Sequence, residues 1–120
     1  MNARVAVILS ALALSFSLPA LAHHSAAQFD LTIRDRSWTG VVKEFQAINP
    51  HSRIVLEVAD DKGTRDITFE GNSMNNMFRA GWRPGAINVG DKVTITAAPR
   101  KDGADGGFVL AIVMEDGRRY

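Results

Sequence analysis

The chain of 120 residues has no cysteine, and this absence removes several kinds of chemistry at once. Disulfides, thiolate nucleophiles and zinc–thiolate sites are all excluded. An excess of charge of one sign is also missing, because 14 lysines and arginines stand against 13 aspartates and glutamates. A nucleic-acid-binding domain normally carries a clear basic excess, so we expect no nucleic-acid partner.

Catalytic motifs are lacking as well. No G-x-S-x-G nucleophile motif and no oxygen-rich calcium-binding loop occurs in the sequence. The carboxylate pair Asp60 and Asp61 falls where a hairpin turn is expected, and solvated aspartates are ordinary there. We therefore expect no enzyme activity. The hydrophobic fraction of 46% is too high for a disordered chain, and the length suits one domain.

Residues 1–22 have the features of a secretory signal peptide. Arg4 supplies a positive charge, residues 5–18 form an apolar run, and Ala20-Leu21-Ala22 is an A-x-A cleavage site. The run is shorter than the roughly 20 apolar residues of a membrane-spanning helix, so an uncleaved anchor is the less favoured alternative. We expect cleavage after Ala22, which leaves a formally neutral periplasmic protein with no transmembrane segment. Secretion to the outside is the second alternative for its location.

The mature chain predicts an N-terminal arm at 23–36, which shows no clear period, followed by one β-domain at 37–120. Five β-rich segments and one short helix are expected in the order β-β-β-α-β-β, which is the order of an OB-like five-stranded Greek-key barrel. An open β-sandwich with a helix lid is the alternative. The predicted strands are 37–48, 54–58, 65–70, 92–97 and 108–114.

Local signals support this order of elements. Gly40 inside the first strand predicts a bulge or sharp bend, of the kind that small barrels need to close. Ser73 is the expected N-cap of the helix and Gly81 its C-terminal glycine. Trp82 follows as the closing hydrophobic contact and is expected to stay partly exposed. Phe69 is the one aromatic residue that the second and third strands offer to a binding face, but it is more simply interpreted as a core residue, as are Phe45, Phe78 and Phe108.

The three histidines of the chain are the candidate metal ligands. Cleavage after Ala22 would give His23 a free α-amine beside its imidazole, with His24 directly after it. Copper(II) prefers tetragonal sets of nitrogen ligands, and an amine with an imidazole on one residue forms a chelate. His51 lies in an Asn49-Pro50-His51 turn and completes the set if the arm packs beside that turn.

The sequence leaves two functions open. One is a non-enzymatic periplasmic binding protein that holds copper(II) through His23, His24 and His51. The alternative is an interaction module that recognises an envelope protein or a glycan through its loops and holds no metal. In that alternative His23 and His24 form only a polar mature end, and His51 fixes its own turn by hydrogen bonds. The oligomeric state does not follow from the sequence.

Six short motifs are spread along the mature chain: Ala22-His23-His24-Ser25, Phe29-Asp30, Thr39-Gly40-Val41-Val42, Asn49-Pro50-His51, Gly81-Trp82 and Gly90-Asp91-Lys92-Val93. Taken together, they resemble a family of small secreted bacterial proteins of unknown function. The resemblance implies a periplasmic β-barrel domain with no established activity, and it places the three histidines in one family pattern. The chain departs from that pattern at Asn72-Ser73-Met74-Asn75, which replaces a G-S-P-N-like helix start, and at Ala26, where the family has phenylalanine.

Overall fold

A computed structural model of the chain describes residues 26–120, so the expected signal peptide and the metal candidates His23 and His24 lie outside the described residues. The five strands and the helix occur in the predicted order, and the strands end within a few residues of their predicted limits. The elements are β1 Ser37–Gln46, β2 Arg53–Asp60, β3 Gly63–Glu70, α1 Met74–Arg79, β4 Lys92–Pro99 and β5 Gly107–Met114.

The strands close into a barrel in the order β1-β2-β3-β5-β4, with β1 pairing β4 to complete the circle. All neighbouring strands are antiparallel except β3 and β5, which are parallel and meet through two residue pairs. The helix α1 connects β3 to β4. The prediction of an OB-like Greek-key barrel is therefore confirmed, and the open sandwich is excluded.

The strand β1 pairs with two different neighbours, and this closes the barrel. Its first half, from Ser37 to Val41, pairs with β4, and its second half pairs with β2 up to Gln46. Gly40 stands at the changeover, where a Cβ atom would overlap the backbone carbonyl oxygen of Glu57. A register shift follows directly after Val42. The strand irregularity predicted from Gly40 is therefore present. The close approach of β1 to β2 is the physical reason for a glycine at position 40.

The inward faces of all five strands form one hydrophobic core, which α1 covers at one end. Trp82 belongs to this core with 5% of its surface exposed, so the prediction that it stays partly exposed is wrong. Its ring contacts the rings of Phe45 and Phe78, at centroid distances of 5.6 and 5.3 Å. No described residue accepts a hydrogen bond from its indole nitrogen. Aromatic packing at the barrel end therefore outweighs the polar edge of the indole.

Both ends of α1 have the caps that the sequence predicts. The Ser73 side chain accepts a hydrogen bond from the Asn76 N–H at 3.2 Å. At the other end Gly81 has φ +98°, a conformation that glycine adopts without a steric penalty. The Gly81 N–H then donates to Phe78 O and the Trp82 N–H to Met77 O, which together form a Schellman motif. This motif turns the chain so that Trp82 enters the core.

Removal of the N-cap is expected to weaken the fold measurably. Ser73→Ala leaves the Asn76 N–H without its side-chain acceptor, so the free energy of unfolding should fall by about 1 kcal/mol in urea denaturation. Asn75→Ala is the matched control, because Asn75 is an exposed residue in the first turn whose side chain forms no hydrogen bond within the described chain. Equal losses in the two variants would contradict the capping role.

Candidate functional site

A cavity beside β3 lies between the β1–β2 loop, residues 47–52, and the β4–β5 loop, residues 100–106. We call it the loop cleft; its volume is about 600 Å³. OB-fold domains bind their ligands on the face of strands two and three between these same two loops. Its lining includes Gln28, Phe29, Ile48, His51, Glu70, Arg100 and Asp105.

The β1–β2 loop is held by the connection that leads from β3 into α1. The Ser52 N–H donates to Asn72 O at 3.0 Å, and the Gly71 N–H donates to Ser52 O at 2.7 Å. The Ser52 side chain is buried and donates to the Met77 sulfur at 3.3 Å. Because both the N–H and the carbonyl oxygen of Ser52 are hydrogen-bonded, the backbone of the neighbouring His51 has a defined position at the rim of the cleft.

The His51 side chain is 35% exposed, and it is the one metal candidate of the sequence within residues 26–120. Its Nδ1 atom is buried and lies 3.4 Å from Glu70 Oε1. No described residue forms a hydrogen bond with this nitrogen that has good geometry. The ring meets Phe108 edge-on, with the two centroids 6.3 Å apart. The His51 ring therefore lies between an aromatic ring and a carboxylate, with part of its surface open.

The N-terminal arm packs against the barrel at the same place. Phe29 is buried, and its ring lies 5.8 Å from that of Phe108. The arm backbone is bonded to the end of β4, because the Asp30 N–H donates to Pro99 O at 2.9 Å. Gln28 and Phe29 then line the loop cleft itself. The arm and His51 therefore share one aromatic neighbour, Phe108.

The opposite wall of the loop cleft is fastened by ion pairs. Arg65 donates to Asp60 at 2.7 Å and to Asp105 at 2.6 Å, which connects the β2–β3 hairpin to the β4–β5 loop. The hydrogen bond from Arg65 lowers the pKa of the Asp105 carboxyl. In the same loop the hydrogen bond from Arg100 lowers the pKa of Asp102 to about 2. These carboxylates are charged at neutral pH, so the wall stays ion-paired there.

The fold brings His51 close to Glu70, a residue that the sequence analysis did not identify. Among residues 26–120 no group of three or more histidine, aspartate or glutamate side chains is arranged to hold a metal ion. The interpretation of Phe69 as a core residue is confirmed, because its side chain is fully buried. Inward and outward positions alternate along β3, so Glu70 rather than Phe69 lines the outer surface.

The hairpin register is the signal that would have found Glu70. Asp60 pairs with Gly63 at the turn, and the same register brings Arg53 opposite Glu70 at the other end of the hairpin. Counting back from the turn therefore places the residues just before Arg53 beside Glu70. The contact between His51 and Glu70 follows from that pairing.

A family profile gives the first link to other proteins. DUF6152, described as a family of unknown function, has a profile that matches residues 11–109. The chain belongs to this family. The predicted membership of a family of unknown function is thereby confirmed, and the DUF6152 match includes the arm, the β1–β2 loop and β3. No curated protein and no solved structure matches the chain. Within residues 26–120, no helix is both long and apolar enough to cross a membrane.

Proposed function

We propose that this DUF6152 protein is a non-enzymatic periplasmic binding protein that holds copper(II) at the rim of the loop cleft through His23, His24 and His51. One observation carries the proposal: the arm that follows His24 is packed against Phe108, the same ring that His51 meets. The partly exposed imidazole of His51 therefore lies on the side of the barrel to which the arm is attached.

The chain length between the anchor and the histidines supports this arrangement. Phe29 follows His24 by five positions, and an extended chain covers about 3.3–3.6 Å for each residue. The segment can therefore span about 17 Å. The ring of Phe29 is 5.8 Å from Phe108, which is 6.3 Å from His51. These separations are shorter than that span, so the mature N-terminus can reach the His51 imidazole.

The donor set favours copper(II) over other divalent ions. Cleavage after Ala22 would give His23 an α-amine, and this amine with its imidazole forms a chelate. The imidazoles of His24 and His51 then supply further nitrogen ligands. Nitrogen-rich, tetragonal sites favour copper(II), which also stands at the top of the affinity order of divalent first-row metals. The chain has no cysteine that would compete as a soft ligand.

A copper(II) titration of the exported mature protein tests the proposal. Calorimetry should give a sub-micromolar Kd, and electron paramagnetic resonance should show nitrogen ligands. His51→Ala removes one imidazole and should weaken binding at least about tenfold, while acetylation of the N-terminal amine removes the chelate and should weaken it further. A synthetic peptide that begins His-His-Ser is the reference for an unstructured site. Binding by the protein no tighter than by this peptide would contradict the proposal.

A second candidate function uses the loop cleft without a metal. Its volume of about 600 Å³ lies within the range of about 300–1,000 Å³ that is typical of ligand pockets. The exposed side chain of Ile48 lines it together with Arg100 and Asp105, so apolar and charged groups face one ligand. Such a surface suits a glycan or a segment of an envelope protein. Binding of either that is unaffected by His51→Ala, without tight copper binding, would favour this candidate.

A further inference from the structure

We propose that Glu70 is the positioning residue of His51, and that it makes Nε2 the metal-binding atom of the ring. The Glu70 carboxylate keeps the imidazole proton on Nδ1, so that the lone pair is presented on Nε2. The metal part of this inference rests on the copper site proposed above. The assignment of the proton does not, because it concerns the metal-free protein.

The positions of the two ring nitrogens support this assignment. Nδ1 lies 3.4 Å from Glu70 Oε1, and the described chain offers it no hydrogen-bond partner with good geometry. A bonded N–H···O pair has a separation of about 2.7–3.2 Å and a nearly linear N–H···O angle, so a few tenths of an ångström of closure together with a small rotation of the ring would complete the bond. A lone pair on Nδ1 would instead face the negative carboxylate. A proton on Nδ1 is therefore favoured.

Burial distinguishes the two edges of the ring in the same sense. The His51 side chain is 35% exposed although its Nδ1 atom is buried, so the open part of the ring is the edge away from Glu70. Nε2 lies on that edge. A ligand arriving from solvent or from the arm therefore meets Nε2 first. In protein metal sites a histidine commonly binds through one nitrogen and donates the other N–H to a carboxylate.

The backbone fixes the carboxylate and the imidazole independently of any metal. Glu70 ends β3 and pairs there with Arg53 of β2 and Phe108 of β5. His51 precedes the buried Ser52, whose backbone is bonded on both sides. Because the backbone of both residues is fixed by hydrogen bonds, the short distance between their side chains is a property of the folded barrel itself. The orientation of the ring is therefore set before a ligand arrives.

The proton position is measured on the metal-free protein by long-range ¹H–¹⁵N NMR at about pH 8.5, above the ordinary histidine pKa of about 6.5. We expect the wild-type His51 ring to be mainly in the Nδ1–H form. Glu70→Gln should shift it toward the Nε2–H form that free histidine prefers. The control is Glu57→Gln, which removes the same charge from an exposed carboxylate paired with Lys43 outside the loop cleft. It should leave the ring unchanged.

The copper affinity is measured on the same variants after export. Loss of a carboxylate that orients a ligating histidine typically costs 10–100-fold in metal affinity, so Glu70→Gln should weaken binding by that factor. Glu57→Gln should bind within about twofold of the wild type. An Nε2–H ring in the wild type, or one unchanged by Glu70→Gln, would overturn the assignment of the proton.

The two proposals fail in distinguishable ways. Tight copper binding that depends on His51 but is unaffected by Glu70→Gln overturns the positioning role and leaves the copper site standing. Copper binding no tighter than that of the reference peptide overturns the copper site. The proton position then still decides whether Glu70 orients His51.

Discussion

Phe69→Ala is expected to lower the free energy of unfolding by about 3–5 kcal/mol. Phe69 is fully buried at the centre of the barrel, and its ring meets Trp38 edge-on with the centroids 5.3 Å apart. The truncation removes the buried ring and leaves a cavity between strands that are fixed by their hydrogen bonds. The cost is large because a closed barrel cannot collapse around the space.

Urea denaturation measures this loss, and Phe45→Ala is the matched control. Phe45 is also an aromatic residue on a barrel strand and packs against Trp82, but it is only partly buried. Its truncation should cost clearly less, because water already reaches part of the ring. A loss below about 1 kcal/mol for Phe69→Ala, or equal losses in the two variants, would contradict the position of Phe69 in the core.

Gly40→Ala is expected to destabilise the protein by about 3 kcal/mol, although alanine normally suits a strand better than glycine. The added Cβ would overlap the Glu57 carbonyl oxygen and would lie 3.1 Å from a methyl carbon of Val58. The Glu57 carbonyl belongs to the backbone, so it cannot move out of the way of the new Cβ as the end of a flexible side chain could. The substitution therefore separates β1 from β2 at the point where β1 leaves β4.

The sign of this effect is informative. Strand propensity alone predicts that Gly40→Ala stabilises the protein, whereas the close approach of the two strands predicts the opposite. Gly71→Ala is the control, because a Cβ there would meet Ser52 Cβ at 3.4 Å, an ordinary contact. Its unfolding free energy should change by well under 1 kcal/mol. Thermal or urea unfolding that shows Gly40→Ala at least as stable as the wild type would contradict the proposed reason for this glycine.

The order of the elements could be predicted from local signals because each strand and turn carries its own. Alternation of apolar residues identified the strands, and Ser73 and Gly81 marked the ends of α1 through hydrogen bonds that involve neighbouring residues alone. The strand limits were less accurate. The hairpin between β2 and β3 extends pairing to Asp60 and Gly63, beyond the last apolar residues of each strand. Backbone hydrogen bonds, not side-chain pattern, set those ends.

Exposure was harder to predict than order. The position of Trp82 after a helix predicts partial exposure, yet the Schellman motif turns it into the core against Phe45 and Phe78. Phe69 shares one face of the third strand with Ile67, and that alternation correctly places its ring in the core. The destination of Trp82 depends on elements that are distant in sequence.

The candidate site was predictable in its histidine and not in its carboxylate. His51 is identified as a candidate ligand by its residue type and by its place in a turn. Glu70 has no such local signal, and only the register of the β2–β3 hairpin places it beside His51. The arm showed no periodic pattern that would place it. Its position depends on Phe29 and on three backbone hydrogen bonds to β4 and the loop after it.

The barrel is closed unevenly, and this has a dynamic consequence. The strands β3 and β5 share two residue pairs, whereas β2 and β3 are paired along their whole length. Local opening costs least where few backbone hydrogen bonds must break. The gap between β3 and β5 is thus the first place where the barrel can separate, and Gly107 in that gap also lines the loop cleft. Local opening of the barrel is thereby concentrated beside the loop cleft, which can widen there while the β2–β3 hairpin stays intact.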